Sequence, residues 1–122
     1  MSPLRKASET ESTKRTDQWG SLRFFAGTEY SNTPSISLAR VIIKRGQRNP
    51  RHSHPSCDEI LYLLTGKLKH FVGAEGYDMS AGDSIAIPAG VPHYAINTGD
   101  EDADMIVAYS TGARDFKLEP EE

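Results

Sequence analysis

Apolar residues fall in short runs along this chain, and turn residues separate them. The runs "LRFFAGTEY", "SISLARVIIK", "EILYLLT", "KLKHFVG", "DSIAIP", "HYAIN" and "ADMIVAYST" each span about five to ten residues. Between them lie "SNTP", "RGQRNP", "TG", "GAEG", "AGD", "PAGVP" and "TGDED". Their Gly, Pro, Asn and Asp supply the backbone angles and local side-chain hydrogen bonds that turns need. No window longer than about ten residues sustains a 3.6-residue period, so a long helix is not expected. β-branched and aromatic residues populate the runs, and many short strands at regular spacing predict an all-β sandwich or barrel. "LLTGKLKHF" reads as a tight hairpin around Thr65 and Gly66. Residues 1–17 are polar and aperiodic, which predicts a disordered or loosely docked N-terminal arm. The barrel is expected over 18–115, and "ARDFKLEPEE" predicts a short edge element running into an acidic tail over 116–122.

A chain of 122 residues suffices for one domain with a real core. The formal net charge is -3 with both signs scattered, so there is no basic patch for nucleic acid. The apolar runs "ILYLL" and "MIVAY" fall far short of the ~20 residues a bilayer-spanning helix needs. The polar N-terminus lacks the apolar stretch of a signal peptide. Cys57 is the single cysteine, which excludes an intrachain disulfide and fits a reducing compartment. A cytoplasmic protein, binding neither membrane nor nucleic acid, is the expectation.

One stretch carries chemistry. "RHSHPSCDE", residues 51–59, holds two of the four histidines in the chain. Side chains two apart on an extended segment point the same way, so His52 and His54 can aim at one point. A short turn through Pro55 to Asp58 can return Glu59 to that point, and His93 in "GVPHYAIN" is a fourth candidate. The bland alternative is a group of solvated polar residues near turns. Imidazole nitrogens with a carboxylate suit Fe(II), Mn(II), Ni(II), Cu(II) or Zn(II), and the set lacks the thiolates of a structural zinc site.

Two spacings go further. The first runs Gly46, five residues, His52, one, His54, four, Glu59, six, Gly66. The second runs Gly82, five residues, Pro88, one, Gly90, two, His93, three, Asn97. Each has a chance probability on the order of 10⁻⁵ to 10⁻⁴ if every fixed position matches about one time in twenty. Together, over about residues 36–110, they resemble the two motifs of the cupin superfamily. The resemblance implies a small antiparallel jelly-roll β-barrel of cupin type, with a metal inside near one mouth. His52, His54, Glu59 and His93 would be its ligands. It implies one divalent transition metal per chain, Fe(II) or Mn(II) ahead of Ni, Cu or Zn, and a homodimer.

Alternation then outlines a pocket. An inward Glu59 brings Leu61 and Leu63 inward, and an inward His93 brings Ala95. Comparison with the family favours the Met105, Val107, Tyr109 face as lining, with Tyr109 the one polar handle and the catalytic candidate. Phe24 or Phe25 and Arg40 could reach the mouth, their facing being open. His70 matches neither motif and reads as a strand histidine without a metal role; Cys57 reads as a lone thiol. A mostly apolar pocket favours a small, partly hydrophobic ligand over a sugar phosphate. The expected function is a metal-dependent enzyme acting on a small organic molecule, with dioxygenase chemistry first because three histidines and a glutamate suit a redox-active iron. A metal-dependent lyase, isomerase or cyclase uses the same ligands, and a non-catalytic metal or small-ligand binding module is the remaining alternative.

Overall fold

Eleven strands carry most of the regular structure in this computed structural model, which describes residues 6–31 and 33–121. In chain order they are β1 (Lys14–Asp17), β2 (Gly20–Ala26), β3 (Ser37–Ile43), β4 (His52–Ser53), β5 (Glu59–Thr65) and β6 (Lys67–Val72). They continue as β7 (Glu75–Ser80), β8 (Ser84–Ile87), β9 (His93–Asn97), β10 (Ala103–Tyr109) and β11 (Lys117–Leu118). One antiparallel sheet has the order β1-β2-β3-β10-β5-β8 and the other β11-β4-β9-β6-β7. From β3 onward the chain changes sheet at each connection up to β10, except at the β6–β7 hairpin. That places β3-β10-β5-β8 against β4-β9-β6-β7, the jelly-roll arrangement, with β1, β2 and β11 added at the edges. The expected all-β, cupin-type fold is therefore present, as two facing sheets rather than one closed ladder among the described residues.

Alternation explains which side chains meet between the sheets. On β10, Ala103, Met105, Val107 and Tyr109 are buried while Asp104, Ile106 and Ala108 are half-buried on the other face. On β5, Glu59, Leu61 and Leu63 are buried while Ile60, Tyr62 and Leu64 are exposed. On β3, Ser37, Ala39, Val41 and Ile43 complete the wall. Each large apolar side chain so buried contributes about 1.5–3 kcal/mol. Leu68 on β6 and Ala95 on β9 close the core from the opposite sheet.

The expected hairpin at Thr65 and Gly66 is not formed. β5 pairs with β10 and β8, and β6 pairs with β7 and β9, so the chain crosses from one sheet to the other there. Only that crossing lets the inward faces of β5 and β6 oppose each other. Gly66 has φ of +94°, and a Cβ would lie 2.9 Å from Ala103 Cα, so glycine is required on both counts. The hairpin comes later, where Val72 pairs with Glu75 around Gly73 and Ala74.

The termini hold structure that their composition does not advertise. Lys14–Asp17, polar and read as arm, is a strand because its backbone pairs with β2, Lys14 opposite Arg23. Arg23 Nη1 also donates to Glu9 O at 2.9 Å, holding the segment before it. Residues 1–5 of the arm lie outside the described residues. At the other end, Lys117 and Leu118 pair with Ser53 and His52. The acidic residues there find donors on the same edge: Ser53 Oγ donates to Glu119 Oε2 at 2.7 Å, and Arg48 Nη2 to Glu121 Oε1 at 2.8 Å.

Asn97, the last position of the second motif, is structural. Its Nδ2 donates to Ile43 O at 2.9 Å and Glu101 O at 2.8 Å, and its Oδ1 accepts from Gly99 N at 2.9 Å. It ties the β9–β10 turn to the end of β3. Asn97→Ala should cost about 2 kcal/mol by orphaning buried carbonyls, read as a lower denaturant midpoint with unchanged slope. A loss below about 0.5 kcal/mol, the size of an ordinary surface change, would show that water replaces these bonds.

Candidate metal centre

His52 lies on β4 and pairs directly with His93, the first residue of β9. His54 follows β4, and Glu59 opens β5 across the gap between the sheets. A backbone bond from Gly90 N to His54 O at 2.9 Å joins the two motif segments. All four side chains are buried. The ring nitrogens that His52, His54 and His93 offer lie within 4.8 Å of one another. Glu59 Oε1 is 3.1 Å from His54 Nε2 and 3.2 Å from His93 Nε2.

The outer nitrogens are committed. His52 Nδ1 lies 2.6 Å from Pro50 O, His54 Nδ1 2.8 Å from Asp115 O, and His93 Nδ1 2.9 Å from Val91 O. A carbonyl only accepts, so each neutral ring carries its proton on Nδ1 and leaves an Nε2 lone pair facing inward. The inner atoms of His54, His93 and Glu59 are buried, close together, and not aligned as hydrogen bonds to any partner. Orphaned buried polar atoms are rare, and lone pairs from three imidazoles converging beside a carboxylate are the donor set of a divalent transition ion. The residues fit that group.

Electrostatics point the same way. Burial holds His52 neutral, down to about 3, with His93 adding to the effect. Burial alone would raise Glu59, but the adjacent His54 and His93 outweigh it and hold the carboxyl well below its usual range. A neutral His52 and an ionised Glu59 are protonation states that bind metal.

The centre opens into a cavity of about 370 Å³ lined by both sheets, within the size range of small-molecule sites. Leu61, Met105 and Val107 line its apolar walls as alternation predicts, and Ala95 joins them. Tyr109 lies on the same wall, its ring 5.1 Å from that of His54 and 6.0 Å from Phe24. Burial, then the charge of Glu59, pushes its phenol well above 10, so the O–H form is the one present at neutral pH. Arg40, whose facing was open, is turned away from the mouth. It lies on the outer face, its Nε 2.8 Å from Asp104 Oδ1, with a second bond from Nη2 to Oδ2.

Several lining residues escape a reading by motif. His70 is buried on β6 with both ring nitrogens unpartnered, and burial holds it neutral, down to about 4. Its inward position follows from alternation with Leu68, a signal present in the sequence. Arg114 and Phe116 lie on the irregular segment before β11, where no period exists to read, and Phe116 stacks on His52 at 5.0 Å. Asn49 Oδ1 accepts from Ala95 N at 2.8 Å beside the histidines. Cys57 is buried, and burial raises its thiol, which makes it a poor nucleophile.

Known proteins share this fold. A family model described as a cupin domain matches residues 39–109. Germin-like protein 3-8 of Oryza sativa subsp. japonica is 33% identical over 85 residues, covering 66% of this chain and 38% of that protein. Oxalate oxidase GF-2.8 of Triticum aestivum is 33% identical over 91 residues, covering 66% of this chain and 40% of its own length. The chain thus matches well under half the length of these relatives. Among solved structures, the formate complex of Lactobacillus farciminis oxalate decarboxylase superposes with a TM-score of 0.83 at 23% identity, over 89% of this chain and 34% of that one. The Bacillus subtilis oxalate decarboxylase studied for its Mn(II) centres gives a TM-score of 0.83 at 23% identity, over 90% of this chain and 30% of that one. Among the described residues, no helix is long and apolar enough to cross a membrane.

Proposed function

The chain belongs to the cupin family, and we propose that it is a metal-dependent enzyme acting on a small organic molecule, with one divalent transition ion held by His52, His54, Glu59 and His93. The observation that carries this reading is the convergence of three inward Nε2 atoms, each ring anchored through Nδ1 to a backbone carbonyl. Mn(II) and Fe(II) are favoured over Ni, Cu and Zn. The donor set suits both, one similar fold is known with Mn(II) centres, and a sequence relative is an oxalate oxidase.

When bound, the ion supplies Lewis acidity and, as iron or manganese, one-electron redox chemistry. The protein's own share is positional. The carbonyl-anchored imidazoles hold the ligand rings in one orientation, and the carboxylate of Glu59 offsets part of the ion's charge. Apolar walls exclude water from the reacting molecule. Tyr109, protonated and beside His54, is placed to donate a hydrogen bond to an oxygen of the bound molecule, and it is the candidate catalytic residue. Dioxygenase chemistry remains the first reading. A lyase, isomerase or cyclase is the second, favoured by Tyr109 because a protonated phenol serves proton transfer without dioxygen.

Metal analysis after expression in Mn(II) and Fe(II) should find about one ion per chain, and none under those conditions would sink the catalytic reading. An oxygen electrode with diketones, phenols and hydroxy acids then separates the chemistries. Substrate-dependent oxygen uptake supports the oxidative reading, and turnover without it supports the lyase or isomerase. We also propose a homodimer, through the outer face of β5 and β3, where Leu38, Ile60, Tyr62 and Leu64 are exposed. The single buried thiol is in keeping with a cytoplasmic setting.

A further inference from the structure

Arg114 is a cation without an anion. Its guanidinium carbon lies 5.3 Å from the ring centres of Phe24 and Phe116 and 5.5 Å from that of Tyr109. Its Nε is buried and has no hydrogen-bond partner, and among the described residues it enters no ion pair. The carboxylates next to it in the chain or on the cavity wall are engaged elsewhere: Asp17 Oδ1 accepts from Gln18 N at 2.6 Å. Asp115 Oδ1 accepts from Ser56 N at 3.2 Å, and Glu59 sits against His54 and His93. Aromatic faces attract a guanidinium but accept no directed hydrogen bond from its five donors in the way an oxygen does. A partly desolvated guanidinium in this state gains most from a planar oxyanion that meets two donors at once.

Its place in the cavity says which oxyanion. Arg114 lines the same space as the four candidate metal ligands. Phe116 and Tyr109, two of its three aromatic neighbours, in turn contact His52 and His54. The ring of Phe116 thus bridges the guanidinium to His52, and that of Tyr109 bridges it to His54. A divalent ion with Glu59 and Arg114 leaves the site positively charged, since Arg15 and Asp17 on the same lining offset each other, and much of the remaining wall, Leu22, Val41 and Met105 included, is apolar.

We propose that Arg114 sets the charge of the molecule this site accepts: the ligand is a small organic acid whose carboxylate pairs with the guanidinium while its body extends toward the metal centre. The proposal rests on the metal-enzyme reading for its location, but Arg114 can be tested apart from the metal.

Pyruvate and benzoate, with the neutral pyruvamide and benzamide, are titrated calorimetrically into the Mn(II)-treated and the chelator-treated chain. Each titration is repeated with Arg114→Gln and Arg114→Lys after circular dichroism confirms their fold. The acid should bind at least about tenfold better than its amide, a 1.4 kcal/mol preference. Arg114→Gln should erase the part of that preference that persists without metal and leave the amides unaffected, and Lys should restore a fraction. An acid-over-amide ratio unchanged in Arg114→Gln, or absent from the wild type, overturns the proposal. A chain that takes up no metal yet shows the Arg114-dependent ratio overturns the enzyme reading alone. Should the Gln variant not fold, phenylglyoxal labelling of Arg114 in the wild type decides, read by mass spectrometry. Protection by pyruvate but not by pyruvamide supports the pairing, and equal labelling with both refutes it.

Discussion

Replacing His54 or His93 with alanine is expected to reduce bound metal from about one ion per chain to a trace, measured by elemental analysis after desalting. Each substitution removes one of the three imidazoles that form the cluster among the described residues, and Glu59 lies against only two of them, His54 and His93. Loss of binding also removes metal-linked stability, about 2.7 kcal/mol when free metal is a hundredfold above its Kd. That loss should appear as a melting temperature that no longer responds to added Mn(II). His70→Asn is the control, since His70 lies outside the ligand cluster although its ring is 5.8 Å from that of His93. Full occupancy in both alanine variants would mean that the ligand set is wrong.

The metal-free chain should be acid-labile, losing on the order of a few kcal/mol between pH 7 and 4. His52 and His70 are held neutral by burial, at about 3 and about 4 against 6.5 for a solvated imidazole. For a base depressed in the folded state, the full stability is present above 6.5, and it is lost as pH falls toward the folded value because the unfolded chain takes up the protons first. Glu59 acts in the same sense at lower pH, its depressed value favouring the fold above the ordinary carboxylate range. Denaturant midpoints of the chelator-treated chain at pH 7.5, 6, 5 and 4.5 provide the measurement, and His70→Leu should flatten the curve. A midpoint that does not move between pH 7.5 and 4.5 would contradict the buried, neutral state of these histidines. Bound metal should shift the loss to lower pH, because protons must then displace it.

Much of the site was readable without coordinates because its information is local. His52 and His54 share a direction through the two-residue period of an extended chain, and Leu61, Leu63, Met105 and Val107 sort inward by the same rule. β7 has no readable period because "EGYDMS" buries only Met79 and leaves Tyr77 exposed, a pattern too weak to rise above its flanking turns. The hairpin expected at Gly66 was misplaced because a Gly turn between two apolar runs serves equally for a return within one sheet and a step to the other. Arg40 could not be placed because its partner, Asp104, is 64 residues away in the chain.

The amino-acid order alone established an all-β chain, two spaced motifs and four candidate ligands, since alternation, turn chemistry and short spacings are properties of neighbouring residues. The folded arrangement settled what depends on distant segments meeting. It brought β11 onto β4, set Phe116 against His52, left both nitrogens of His70 without a partner, and put Arg114 on the cavity shared by the candidate metal ligands. Those contacts join segments dozens of residues apart through the packing of two sheets, and no local period encodes them.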